Sequence, residues 1–270
     1  MFGRVATIRT PLGLDKNTAQ SVNAEPGVGA YRDQRVIYTW PQARSLVPLI
    51  ARRGLSGNPA STSYLAFTAD GNVDMGADGF LVSIMSQLAP EENPGQLTGF
   101  TAGITSLESS TNANGLTIVD YINFKAAGIC ALRFDQGVAI YQSGVTSVDP
   151  NLNPGLVRIS RRRMADYIQD SLSLRTKSFG KKLSTNARRN ALVGEIRAFM
   201  EGLLSRENPA NQRIAGFTID AKSANTPAVL AQGLFRIRVP VRTLPSLDSI
   251  VLEVTVGEQV TVTEVLPLAA

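Results

Sequence analysis

The sequence predicts an α/β protein, a mixed sheet packed with helices and carrying an extended C-terminal arm strand. Three observations carry this reading. Apolar residues recur at helical spacing in two adjacent runs, Met164, Tyr167, Ile168, Leu172 and Phe179, then Leu192, Ile196, Phe199, Met200, Leu203 and Leu204. Strict alternation marks strands further on, with Phe235, Ile237, Val239 and Val241 on one face and Arg236, Arg238 and Arg242 on the other. A composition of 43% apolar and 18% charged residues belongs to a globular chain.

Each element has its own local signal. Val5–Ile8 reads as a short strand, and residues 12–34, rich in Gly, Asn, Asp and Pro, read as loop. Residues 1–34 are therefore expected to be a loop-rich N-terminal segment, 35–257 the α/β core and 258–270 the arm. Arg35–Trp40 is β-branched and aromatic, hence a strand. Pro41 suits the first turn of a helix running to about Arg53, which Pro48 would kink or shorten. Residues 55–63 read as loop. Phe80, Leu81, Ile84, Met85 and Leu88 predict a helix over Gly76–Leu88, which the run Pro90–Gly95 breaks. Thr117–Ala127 is a second helix with Ile118, Tyr121, Ile122 and Lys125 on one side, ended by Gly128. Ile129–Phe134 and Val138–Gln142 flank Asp135-Gln-Gly137 and predict a hairpin. Ser160 is placed as cap of a helix Arg161–Phe179, and Thr185 as cap of a helix Asn186–Ser205, the short link making them an antiparallel pair. Arg213–Ala221 and Gly233–Arg242 follow as strands. Ile250–Val256 is expected to pair back on the latter, and Val260–Val265 is one further strand without a partner in its own hairpin.

The chain has no histidine, which removes Ser-His-Asp and Cys-His couples and imidazole metal ligands. Its single Cys130 can form no internal disulfide, and its apolar surroundings predict a buried, inert thiol. Glu91 and Glu92 are adjacent, so they diverge in any regular element, and they read as a solvated loop. Asp70-Gly-Asn-Val-Asp74 lacks the distal acid of a calcium loop and reads as a turn. No glycine spacing forms a phosphate cradle. No enzyme activity, cofactor or metal is expected. No run of eighteen apolar residues is present, so no membrane-inserted helix is expected, and the N-terminus lacks the apolar core of a signal peptide.

The net charge of +5 is uneven. Residues 158–197 hold an excess of +8, leaving the rest of the chain at −3. Arg161, Arg162 and Arg163 span a wide arc of one helix, so some are expected to pair with Asp166 or Asp170. Lys177, Lys181, Lys182, Arg188 and Arg189 surround the link between the two helices, an exposed corner suited to docking an acidic partner. Nucleic acid is not expected there, because aromatic residues other than Phe179 do not interleave with the charges. The strand Val260, Thr261, Val262, Thr263, Glu264, Val265 needs a partner at home or in a neighbouring molecule.

Four runs resemble the contractile tail sheath protein family of bacteriophages and related injection machines: Leu88–Gly95, Ala127–Arg133, Ser143–Pro150 and Ile159–Gln169. The resemblance spans about residues 32–265. It implies a structural subunit that stacks in helical rings around an inner tube and contracts to drive that tube through a host envelope, as part of a virion tail assembled in the host cytoplasm. Its implied partners are other copies of itself, the tube protein, and baseplate and terminator proteins at the ends. It implies that Val260–Val265 is donated between subunits. The receiving hairpin would be Phe235, Ile237, Val239 and Val241 with Ile250, Leu252 and Val254. Lys177, Lys181, Lys182, Arg188 and Arg189 would face the tube. Sheath proteins of this type are usually longer, with an N-terminal arm and an outer domain. A truncated chain, one half of a two-chain sheath and a short sheath-like protein all stay open. A baseplate or tail-terminator protein with a sheath-like domain is the alternative within the same machinery, and a carboxylate-based hydrolase the alternative outside it.

Overall fold

The computed structural model describes residues 5–9, 15–21, 32–41, 43–46, 72–96, 104–107, 116–135, 138–149 and 154–245. The main sheet has four strands, β1 (Ala6–Arg9), β2 (Val36–Trp40), β6 (Ile129–Asp135) and β7 (Val138–Tyr141), in the order β1-β2-β6-β7. β1, β2 and β6 run parallel, and β7 returns antiparallel on β6 with Leu132 opposite Tyr141 and Asp135 opposite Val138. The expected hairpin is thus present, its turn at residues 136–137 lying outside the described residues. In β2, Ile37 through Trp40 are all buried, as expected of a central strand covered on both faces.

Between β2 and β6 the chain forms β3 (Ala43–Leu46), β4 (Asn72–Met75), a helix α2 (Ala77–Gln87), β5 (Ile104–Leu107) and a helix α3 (Ile118–Ala126). β3 sits at the centre of a second, antiparallel sheet, β4-β3-β5. This corrects the helix expected from Pro41 onward. Pairing on both edges satisfies the backbone of β3, whereas a helix would have run into Pro48. It also corrects the turn expected at Asp70–Asp74, since Asn72–Met75 is β4. A third correction is the helix α1 (Lys16–Ser21) inside the stretch read as loop. Asp15 caps it, accepting from the Asn17 and Thr18 amides, and Ala19 is fully buried.

The helices earn their positions through packing and caps. α2 buries Leu81, Ile84 and, just beyond it, Leu88, as its stripe predicts. α3 opens on a capping box, in which the Thr117 hydroxyl accepts from the Asp120 amide at 3.3 Å and Asp120 accepts from the Thr117 amide at 2.9 Å. Its inward face is Tyr121 and Phe124, with Phe124 stacked on Trp40 at 4.7 Å between ring centroids. The spacing groups Ile118 and Ile122 on one side with Tyr121, yet they are 79% and 60% exposed. The larger ring of Phe124, joined to the sheet through Trp40, fixes the rotation of α3 instead. Gly128 follows with φ +72°, the left-handed step that ends a helix. Cys130 is fully buried, and desolvation pushes its thiol up to about 12, the inert state its context predicts.

The second half contains α4 (Ile159–Thr176), α5 (Asn186–Leu204), β8 (Ile214–Phe217), α6 (Pro227–Ala231) and β9 (Val241–Thr243). Thr185 caps α5 as expected, its hydroxyl accepting from the Arg188 amide. Ser160 does not cap α4. The helix begins at Ile159, two residues earlier than expected, because the Ile159 amide is already satisfied by Gly144 and an isolated bridge joins Val145 to Arg158. α4 spans two apolar cores. Ile159 belongs to the core around the main sheet, while Met164 and Ile168 join Ile196, Met200, Leu203, Leu204 and Ile214 in the other.

Arginines hold the seam between these cores. Arg163 donates to the carbonyls of Met85, Leu88 and Ala89 at 2.6, 2.8 and 3.3 Å, capping the C-terminal end of α2. Arg162 pairs with the buried Asp166 and donates to Gln34 at 3.0 Å, and Arg35 reaches the same carboxylate at 3.4 Å. Arg213 makes a two-pronged pair with Glu91 at 2.5 and 2.7 Å while lying over the Tyr167 ring. Glu91 and Glu92 are therefore not a solvated loop: Glu92 accepts from the Ala89 amide at 2.7 Å. Replacing Arg163 by Met should leave the α2 carbonyls without their charged donor and cost about 2 kcal/mol. A lowered urea midpoint at an unchanged slope would show it.

Candidate assembly surfaces

The basic corner forms where α4 passes through a 3-10 turn (Lys177–Phe179) into the connector. Lys177, Lys181, Lys182 and Arg188 are exposed and Arg189 is half-buried. Lys181 adopts φ +59°, which swings the chain round the corner. The five residues divide by task. Arg188 donates to the Leu183 carbonyl at 3.2 Å, and Arg189 donates to Ser184 Oγ and its carbonyl at 3.0 Å and to Asn186. These two brace the connector, and the lysines project from it. Spacing alone does not separate the two roles. Nearby, Arg175 pairs with Glu195 at 2.9 Å and lies over Phe199.

The second surface is the extended strip 235–243. Phe235, Ile237, Val239 and Val241 are half-buried, and Arg236, Arg238 and Arg242 are exposed, so the alternation read from sequence holds. The regular strand is shorter than expected, however. β9 covers Val241–Thr243, and its partner among the described residues is β8, continued by the bridge Asp220–Arg238. The apolar side of the strip faces Ile168, Leu172, Leu192 and Ile196 across an open groove of about 640 Å³. The rest of the expected receiving hairpin, Ile250, Leu252 and Val254, and the arm Val260–Val265 lie outside the described residues.

The loop leading to the strip is held by side chains. Asp220 accepts from the Lys222 and Ser223 amides at 3.0 and 2.9 Å and from the Ser223 hydroxyl, and Asn225 clamps Arg236 through its amide and carbonyl. These bonds, the Ser223 hydroxyl foremost, hold the Asp220 carboxyl at about 2, below its ordinary 3.8. Because the folded value is depressed, the turn's contribution is complete above about pH 4 and is lost as pH falls through 2. Amide exchange at Lys222 and Ser223 should therefore stay slow down to about pH 4 and quicken below it.

Among the described residues no group of three or more acidic or sulfur ligands could hold a metal, and no helix is long and apolar enough to cross a membrane.

No protein-family model and no curated protein matches the sequence. Solved structures do match. A chain of the anti-feeding prophage baseplate aligns with a TM-score of 0.67 at 12% identity, covering 94% of this chain and 60% of its own. A chain of the PVC sheath complex, an extracellular contractile injection system in its contracted state, aligns with a TM-score of 0.66 at 14% identity, covering 94% and 64%. A chain of the anti-feeding prophage helical sheath, also contracted, aligns with a TM-score of 0.65 at 12% identity, covering 93% and 61%. The present chain thus spans about three fifths of the length of the chains it matches. With 93–95% of the chain covered in each alignment, the fold of this chain is like that of contractile injection system sheaths.

Proposed function

We propose that this chain is a structural, non-enzymatic subunit of a contractile sheath. It polymerises as helical rings around an inner tube and, on contraction, drives the tube through the host envelope. The observation that carries this reading is the fold likeness over nearly the whole chain to sheath assemblies in the contracted state. Copies are linked by Val260–Val265, donated to a sheet built from the strip 235–243 and Ile250–Val256 of the next subunit. Such head-to-tail donation does not close on itself and so generates a helical array. The particle is a phage tail or a tail-like injection device assembled in the host cytoplasm, with baseplate and terminator proteins at its ends. Likeness to chains of a baseplate structure supports a second reading, a sheath-like subunit at the baseplate end. Micrographs of the native assembly separate the two, as a stack of rings or a single ring.

Deleting residues 258–270 should leave a folded monomer, with the far-ultraviolet circular dichroism of the full chain, that forms no tubes in electron micrographs. Tubes formed by the truncated chain would overturn strand donation. The lysine corner is the surface we assign to an acidic tube. Reversing Lys181 and Lys182 to Glu should weaken co-sedimentation with purified tube about tenfold at low salt and less at high salt. Unchanged binding would remove the corner from the tube interface.

A further inference from the structure

We infer that Leu183 is the apolar anchor of the lysine corner, and that the surface it docks on is a shallow apolar pocket with an acidic rim. The inference rests on the tube contact proposed above and names what that partner surface must offer.

Leu183 stands out by exposure. It is 80% exposed, the highest value among the exposed apolar side chains of the described residues, and Leu174, near the same end of the helix pair, is 74% exposed. A lone exposed leucine is ordinary on a protein surface. Here two of them are set among lysines and form a mixed apolar and basic tip. Leu174 shares a helical face with Lys177, one turn on, and Leu183 adjoins Lys181 and Lys182. Residues 171–194 contain no aspartate or glutamate, so no acid of that stretch neutralises these lysines.

The tip is built rigid. The Leu183 carbonyl accepts from the Thr185 amide at 3.0 Å and from the Arg188 guanidinium at 3.2 Å. Arg189 holds the next residue, Ser184, through both its carbonyl and its hydroxyl. These bonds leave the Leu183 side chain untouched and fix the backbone that carries it. The ordering needed to present it is therefore complete before a partner arrives. An apolar side chain held out in water gains by burial against another surface.

The chemistry of that surface follows from the tip. It must offer an apolar depression that takes one leucine, with carboxylates around it that face Lys177, Lys181 and Lys182. Leucine burial supplies the part of the attraction that salt leaves intact, and the lysine-carboxylate pairs supply the part that salt screens. A membrane is a poorer fit. A segment lying on a lipid surface needs a broad apolar face, and this tip offers two leucines on different elements, one on α4 and one on a braced connector.

The test uses the full-length chain and purified tube, with Leu183→Ala, Leu183→Met and the double variant Lys181→Glu, Lys182→Glu, each compared with the native chain by circular dichroism. Leu183→Ala keeps the bracing bonds, because they reach only the Leu183 backbone. It should weaken co-sedimentation about tenfold, by the same factor at low and at high salt, while Leu183→Met binds like the native chain. The lysine variant should bind about tenfold more weakly at low salt and recover at high salt. Native-like binding by Leu183→Ala, beside weakened binding by the lysine variant, would overturn the anchor and leave the tube contact standing. Native-like binding by both would overturn the tube contact itself. Co-sedimentation of the native chain with phosphatidylserine vesicles, lost in Leu183→Ala while tube binding is unchanged, would assign the tip to a membrane and overturn the acidic pocket.

Discussion

The structure depends on one guanidinium more than on any other group. Arg163, in the second turn of α4, reaches three carbonyls at the end of α2, where the helix leaves its last acceptors without amide partners. That contact positions the end of α2, and through it the loop that presents Glu91 to Arg213. Burial lowers the Arg163 pKa from its ordinary value, and Glu91 and Glu92 act against that shift. At Arg213 the balance is reversed, its bond to Glu91 raising the value. The seam is polar where the cores on either side are apolar, and polar contacts demand a defined geometry that apolar ones do not.

Much of this was legible in the sequence. Periodicity located α2, α3, α4 and α5, and alternation located the strip, because each of these elements buries one face along its own length. The failures share a physical cause. Helical spacing gives α3 but not its rotation, since the stack of Phe124 on Trp40 depends on a strand far away in sequence. Local spacing at β3 suggests a helix because its neighbours β4 and β5 arrive later in the chain and leave no trace in that spacing. The first turn of α4 starts ahead of Ser160, because the Gly144 carbonyl accepts from an amide that a capping side chain would otherwise satisfy.

The candidate assembly surfaces are legible in the sequence as charge and as pattern, not as geometry. Five basic residues marked the corner, but the separation into two bracing arginines and three projecting lysines follows from the fold of the connector. The four runs that carry the family resemblance tell a related story. They are scattered along the sequence, yet they meet. Arg163 of one binds the carbonyls of Leu88 and Ala89 in another. Gly144 of a third packs so closely on Asn93 and Pro94 that a β-carbon there would lie 2.5 Å from the Asn93 side chain.

α4 carries a mechanical consequence. It runs unbroken for 18 residues, about 27 Å, from Ile159 against the main sheet to the turn that begins the lysine corner. A helix is stiff along its axis, because stretching it strains every turn's hydrogen bonds at once. A push at the corner therefore arrives at the sheet as displacement, without being absorbed in a flexible joint. The α5 packing and the Arg162 and Arg163 contacts stop the rod from buckling sideways. In the contractile sheath proposed above, such an element would act as a pushrod between the tube-facing corner and the main sheet.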